Sequence, residues 1–218
     1  MIDLHTHTFF SDGELVPAEL VRRAAVAGYQ ALAMTDHADR TNTQWLLANI
    51  VDVVDELGAA NGMQILAGVE LTHVPPATIA DVAKLARDCG AELVVVHGET
   101  IVEPVMPGTN LAAIQAGVDV LAHPGLISAD EVRLAAEKGV YLELTTRKGH
   151  SLTNGHVAKL ALEYGASLVI NNDAHAPGDL VSEELGRKIA YGAGLSEEQY
   201  LQARRNSAEL VARIKGDK

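Results

Sequence analysis

Cysteine is nearly missing: Cys89 is the one thiol in 218 residues. That excludes a disulfide framework within the chain and any cysteine-ligated zinc site. Long apolar runs are missing too. No stretch reaches the roughly 18 residues that a membrane-spanning helix needs. The opening MIDLHTHTFF has neither the basic start nor the long apolar stretch of a secretory leader. A cytoplasmic protein without membrane association is expected. Aromatic residues make up only 4 %, and 17 basic residues face 29 acidic ones, for a net charge of −12. Stacking platforms are scarce and the surface repels a phosphate backbone, so nucleic acid is an unlikely partner. A local site of opposite sign still permits a small anionic substrate. No G-x-G-x-x-G follows the first strand, which argues against dinucleotide binding.

What is present is ordinary globular material, 48 % hydrophobic and 21 % charged. One grammar repeats: a helical stretch ends at Gly, and a short Val, Leu and Ile-rich run follows. Gly28 precedes ALAMTDH, Gly90 precedes AELVVVHG, and Gly165 precedes ASLVINND. Glycine just past a helix end and apolar runs of four to six residues predict helices alternating with strands buried on both faces. Strands are expected near 2–5, 31–35, 64–69, 93–96, 118–122, 140–145 and 167–171. Pro17 opens one helix, and Pro75 and Pro76 open another that runs to Ala86. Ser128 with Glu131 forms a capping box, and Ser182 and Ser196 are further caps. Two helices close the chain at about 182–193 and 196–215, the second with Leu201, Leu210, Val211 and Ile214 as its inner face. No linker divides the sequence, so residues 1–218 are expected to form one domain. Parallel βαβ units fit a closed barrel or an open doubly wound sheet; both put functional groups at the carboxyl ends of strands.

The nine histidines are placed, not scattered. Strand one runs into His5 and His7, with Asp12 soon after, and strand two runs into Asp36 and His37. Glu70 ends strand three, His97 strand four and His123 strand five, while strand seven leads to Asp173 and His175. Strand six leads to Arg147, Lys148 and His150. The His5/His7 and Asp173/His175 pairs have the period-two spacing that points both side chains the same way. Six histidines and three carboxylates make nine candidate ligands, too many for one ion. Imidazole and carboxylate without thiolate suit Zn, Mn or Fe. Of the remaining histidines, His156 is expected at the surface, and His73 lies just beyond Glu70. Trp45 is expected in the core or in a lid.

These residues sit in the motifs D-L-H-T-H-T at 3–8, S-D-G at 11–13, T-D-H at 35–37 and G-V-E at 68–70. V-H-G at 96–98, A-H-P at 122–124 and D-A-H at 173–175 follow. In content and order they resemble the PHP (polymerase and histidinol phosphatase) family, within the wider amidohydrolase-like metal enzymes. The resemblance implies an α/β fold, a distorted seven-stranded (β/α)7 barrel of TIM-like type, and three divalent metal ions. By position, one ion would take His5, His7, Glu70 and Asp173. A second would take Glu70, His97 and His123, with Glu70 as bridge. A third would take Asp12, His37 and His175. Many members have His where this chain has Asp12, and a carboxylate there favours a harder metal such as Mn or Fe.

Three dications against three ligand carboxylates leave a centre of about +3, which selects an anion. The function expected is hydrolysis of a small phosphorylated metabolite by a metal-bridging hydroxide. Arg147 is the candidate phosphate clamp, with Lys148 and His150 adding charge or protonating the leaving oxygen. Asp36 is expected to orient a ligand. Hydrolysis of an amide or lactone, and a non-catalytic metal-binding module, are the alternatives; an exonuclease role is disfavoured by the acidic charge.

Overall fold

The computed structural model describes residues 1–216. Seven parallel strands form a nearly closed barrel in the order β1-β2-β4-β5-β6-β7-β8. They are β1 (Ile2–Thr6), β2 (Ala31–Met34), β4 (Gln64–Leu71), β5 (Leu93–His97), β6 (Val120–Ala122), β7 (Tyr141–Thr145) and β8 (Leu168–Asn171). An additional two-residue strand, β3 (His37–Ala38), pairs with the upper half of β4 and aligns His37 with Glu70. It is too short to leave a periodic signal in the sequence.

Helices cover the outside. They are α1 (Pro17–Val26), α2 (Thr43–Ile50), α3 (Val54–Asn61), α4 (Ile79–Asp88), α5 (Thr109–Ala116), α6 (Ala129–Lys138) and α7 (Asn154–Tyr164), followed by α8 (Glu183–Gly192) and α9 (Glu197–Gly216). Ser128 and Glu131 cap α6 reciprocally, and Ser182 accepts from Leu185 N at the start of α8. One expected helix start moves. Pro76–Thr78 forms a 3-10 turn, closed by Thr78 N donating to Pro75 O, and the α-helix begins only at Ile79.

Alternation along each strand sorts the apolar residues. Leu32 and Met34 of β2 and Val94 and Val96 of β5 join the helices in an outer core. Ala31, Ala33, Leu93, Val95, Val120, Ala122 and Val169 fill the barrel interior, where Leu210 and Val211 of α9 pack against them. Val95 and His97 share a face of β5, so the interior-facing row that is apolar lower down ends in a polar group at the top. The inner face of α9 differs from the expected one. Leu201 is 40 % exposed, while Tyr200, Ala203, Asn206, Ser207, Leu210 and Val211 are buried. Asn206 donates to Leu168 O, so a polar residue takes a place on that face by meeting a strand carbonyl.

The ring closes between β1 and β8 with one bridge, Thr6 to Ala174. His7 N donates to Ala174 O at 2.8 Å. Below that, side chains replace the ladder. Leu4 N donates to Asn171 Oδ1, and Asn172 N and Nδ2 donate to the buried Asp3 carboxylate. Burial pushes the Asp3 pKa up to about 7, with the bonds from Asn172 and His5 pulling the other way. At the bottom, Asp119 before β6 accepts from Val94 N, Arg87 and Arg213, which ties α4 and α9 to the barrel base. No helix among the described residues is long and apolar enough to cross a membrane.

Candidate metal centre

The carboxyl ends of the strands bring all nine expected donors to one rim. His5, His7, Glu70, His97, His123 and Asp173 are buried, and His37 and His175 are half-buried. Glu70 is central. Its Oε1 lies 3.2 Å from His5 Nε2 and 3.8 Å from His123 Nε2; its Oε2 lies 2.7 Å from His37 Nδ1 and 3.8 Å from His7 Nε2. Asp173 Oδ1 is 3.2 Å from His7 Nε2, across the β1–β8 seam. Asp12 Oδ1 sits between His37 Nε2 at 3.3 Å and His175 Nε2 at 3.2 Å.

Among the described residues, four overlapping groups have ligand atoms all within 4.8 Å of one another: His5, His7 and Glu70; His5, His123 and Asp173; His7, Asp12, His37 and His175; and His97, His123 and His150. His5 Nε2, both ring nitrogens of His7 and of His123, and Glu70 Oε1 are buried without a hydrogen bond among the described residues. Each buried polar atom without a hydrogen bond costs roughly 1–3 kcal/mol, and the Nε2 atoms of His5, His7 and His123 converge on the Glu70 carboxylate, so these atoms need a common partner. Divalent cations fit that need, because every orphan is an imidazole nitrogen or a carboxylate oxygen.

The outer hydrogen bonds aim the rings. His5 Nδ1–H donates to Glu143 Oε2, which leaves Nε2 facing Glu70. His97 Nδ1–H donates to Gly98 O, and His175 Nδ1–H donates to Asp173 O. Burial opposes charge on His5, but the Glu143, Glu70 and Asp173 carboxylates hold its pKa well above the usual imidazole range. Burial pushes His7 and His123 well below it, aided by the charges of His37 and His97 respectively. Burial pushes Asp173 up to about 7. Glu70 is driven upward by burial, yet His5 and His37 hold it well below the ordinary carboxylate range.

The loop after β1 is folded back by Asp36, which accepts from Thr8 N, Thr8 Oγ1 and Ser11 Oγ. Gly13 is required in that turn, because a Cβ would come within 2.5 Å of His7 O. Asp36 therefore positions the segment that carries Asp12. Among the described residues, three that are not glycine have left-handed backbone, and all three belong to the rim: His73, His123 and Asp173.

Arg147 reaches the centre. Its Nη1 donates to Asp173 O at 3.2 Å, and its Nε lies 3.5 Å from Asp173 Oδ2. Lys148 is exposed and forms no ion pair among the described residues. His150 is buried, stacked on His123 with centroids 4.3 Å apart. His156, expected at the surface, is half-buried and meets Ile127 O. Trp45 is 54 % exposed and meets the Phe10 ring edge-on, while its neighbours Leu46 and Ile50 are buried. Sequence reading missed Glu143 and Glu103. Glu143 is the lone carboxylate in an apolar strand, a signal that was legible; Glu103 lies in a long irregular loop and left none.

The PHP domain model matches residues 3–102. A probable phosphatase of Shewanella pealeana is 30 % identical over 84 % of this chain and 82 % of that protein. The chain belongs to the PHP family. An uncharacterized protein of Methanocaldococcus jannaschii is 49 % identical over 90 % of this chain and 91 % of its own length. Ribonuclease P protein component 3 of Methanosarcina acetivorans is 26 % identical over 88 % of this chain and 80 % of its own. Among solved structures, a chain of archaeal ribonuclease P with mature tRNA aligns with TM-score 0.76 at 15 % identity, covering 99 % of this chain and 92 % of that one. Histidinol phosphate phosphatase of Lactococcus lactis, complexed with zinc, L-histidinol and phosphate, aligns with TM-score 0.62 at 16 % identity, covering 89 % and 94 %. These structures share the PHP chain's barrel fold.

Proposed function

We propose that this PHP protein is a metal-dependent phosphoesterase that hydrolyses a phosphate monoester of a small metabolite. The observation that carries the reading is the clustering of unpaired imidazole and carboxylate atoms beside a half-buried guanidinium. His5, His7, Glu70 and Asp173 would hold one ion, and Asp12, His37 and His175 another. His97 and His123 would hold a third, with Glu70 as bridge. When bound, such ions supply Lewis acidity that lowers the pKa of water toward ~7 and offsets phosphate charge. Zn, Mn and Fe are the metals the donors suit.

The chain's own groups do the rest. Arg147 is anchored by the Asp173 carbonyl and faces Asp179 Oδ2 at 3.6 Å, while its half-buried position leaves donors for two phosphate oxygens. Lys148 adds positive charge at the rim. Glu143 and Asp36 hold ligand-bearing segments in place before substrate arrives. The test is a panel of phosphate monoesters, amides and lactones with metal-replete protein. Monoester turnover that stops on chelation and returns with metal is expected. Turnover of amides or lactones alone would replace the reading.

A second reading rests on the ribonuclease P relatives: a subunit that joins an RNA–protein assembly. The net charge of −12 weighs against direct RNA contact. Nanomolar binding to structured RNA, unaffected when Glu70 is replaced, would favour this second role.

A further inference from the structure

We propose that Glu103 and His150, outside the nine-residue set, complete with His97 and His123 a three-imidazole, one-carboxylate site for a divalent cation. The inference rests on the metal-centre reading above and deepens it. The ligand nitrogens of His97, His123 and His150 lie within 4.8 Å of one another. Glu103 spans the group: Oε2 is 3.2 Å from His97 Nε2, and Oε1 is 3.3 Å from His150 Nε2. At this site Glu103 takes the place given above to the Glu70 bridge, because Glu70 comes within 3.8 Å of His123 but forms no ion pair with His97.

Both ring tautomers suit ligation. His97 Nδ1 meets Gly98 O and His150 Nδ1 meets Thr100 Oγ1, so each Nε2 faces inward. Neither ring nitrogen of the buried His123 makes a hydrogen bond among the described residues. Three nitrogens and one oxygen make a donor set that zinc takes in tetrahedral geometry.

The loop that brings Glu103 is built to hold it. Glu99 Oε1 accepts from Gly108 N and Asn110 N at 2.9 Å each, which pins the two ends of the loop together. Gly125 lies against this base with positive φ, and a Cβ there would overlap the Glu99 carbonyl. From the far side, His73 Nε2 stands 3.5 Å from Glu103 Oε2, and its ring stacks on His97 at 5.4 Å. His73 is a positioning residue for the carboxylate. His150 then serves as a ligand, not as the acid that protonates a leaving group.

The test is metal content and spectroscopy. Chelator-stripped protein is loaded with Co(II) and desalted; bound metal is counted by mass spectrometry, and the visible d–d absorption is recorded. Wild type should bind three ions. His150→Ala should lose one ion and part of the d–d band. Glu103→Gln, on a half-exposed loop residue that leaves the barrel untouched, should weaken one ion at least ~10-fold. Three ions at wild-type affinity with an unchanged spectrum in both variants would overturn the proposal and leave the metal centre standing. Wild type that binds no ion would overturn both.

Discussion

Glu143 Oε2 stands 2.8 Å from His5 Nδ1, beneath the rim and fully shielded from solvent. The same oxygen accepts from Asn171 Nδ2 at 2.8 Å, so the carboxylate is fixed by the neighbouring strand β8. It fixes the His5 ring and raises the basicity of the nitrogen that faces Glu70. Glu143→Gln keeps the shape and removes the charge. Metal affinity should fall by about 10- to 100-fold, read by competition with a chromogenic chelator. Unchanged affinity would mean that the carboxylate serves packing alone.

Arg147 touches Asp173 but is no ligand itself. Arg147→Ala should leave metal content intact and lower kcat/KM for a phosphate monoester by about 10- to 100-fold, mostly through KM. That range corresponds to the roughly 1.5–3 kcal/mol of a hydrogen bond to a charged group. An equal loss with neutral substrates would argue against a phosphate clamp.

Metal removal should show in stability. Each ion present at 100 times its dissociation constant adds about 2.7 kcal/mol, and for a domain of this size each kcal/mol is worth about 2–4 °C. Thermal scans with and without chelator should therefore differ by about 5 °C or more. Coincident curves would contradict ion binding at the unpaired imidazoles.

Asp119 offers a control at the opposite end of the barrel. It joins Val94 N, Arg87 and Arg213, far from the ligand rim. Asp119→Ala should destabilise the fold by about 1–3 kcal/mol in urea, a figure kept low because Arg87 and Arg213 are partly in solvent. Metal stoichiometry should not change.

The convergence of the nine expected donors on one rim was legible because each lies at, or in the loop beyond, the carboxyl end of a strand, where a parallel barrel gathers its functional groups. The β-α alternation was legible for a similar reason: glycines such as Gly117 and Gly139 mark helix ends through their positive φ. What escaped had weaker local signatures. β3 has two residues and is defined by its partner β4. Leu201 reads as apolar, but the angular position of Asn206 and Ser207 decides which side of α9 meets the barrel. Glu103 depends on loop closure through Glu99, a long-range geometry that spacing along the chain does not encode.

The backbone at His73, His123 and Asp173 winds in the sense that asparagine tolerates and alanine resists. Alanine scanning at these three points would remove a side chain of the rim and strain the peptide in a single step. Asparagine at Asp173 separates the two effects, since it retains an oxygen and accepts the winding. The outline of this rim is thus carried by the main chain as well as by the groups attached to it.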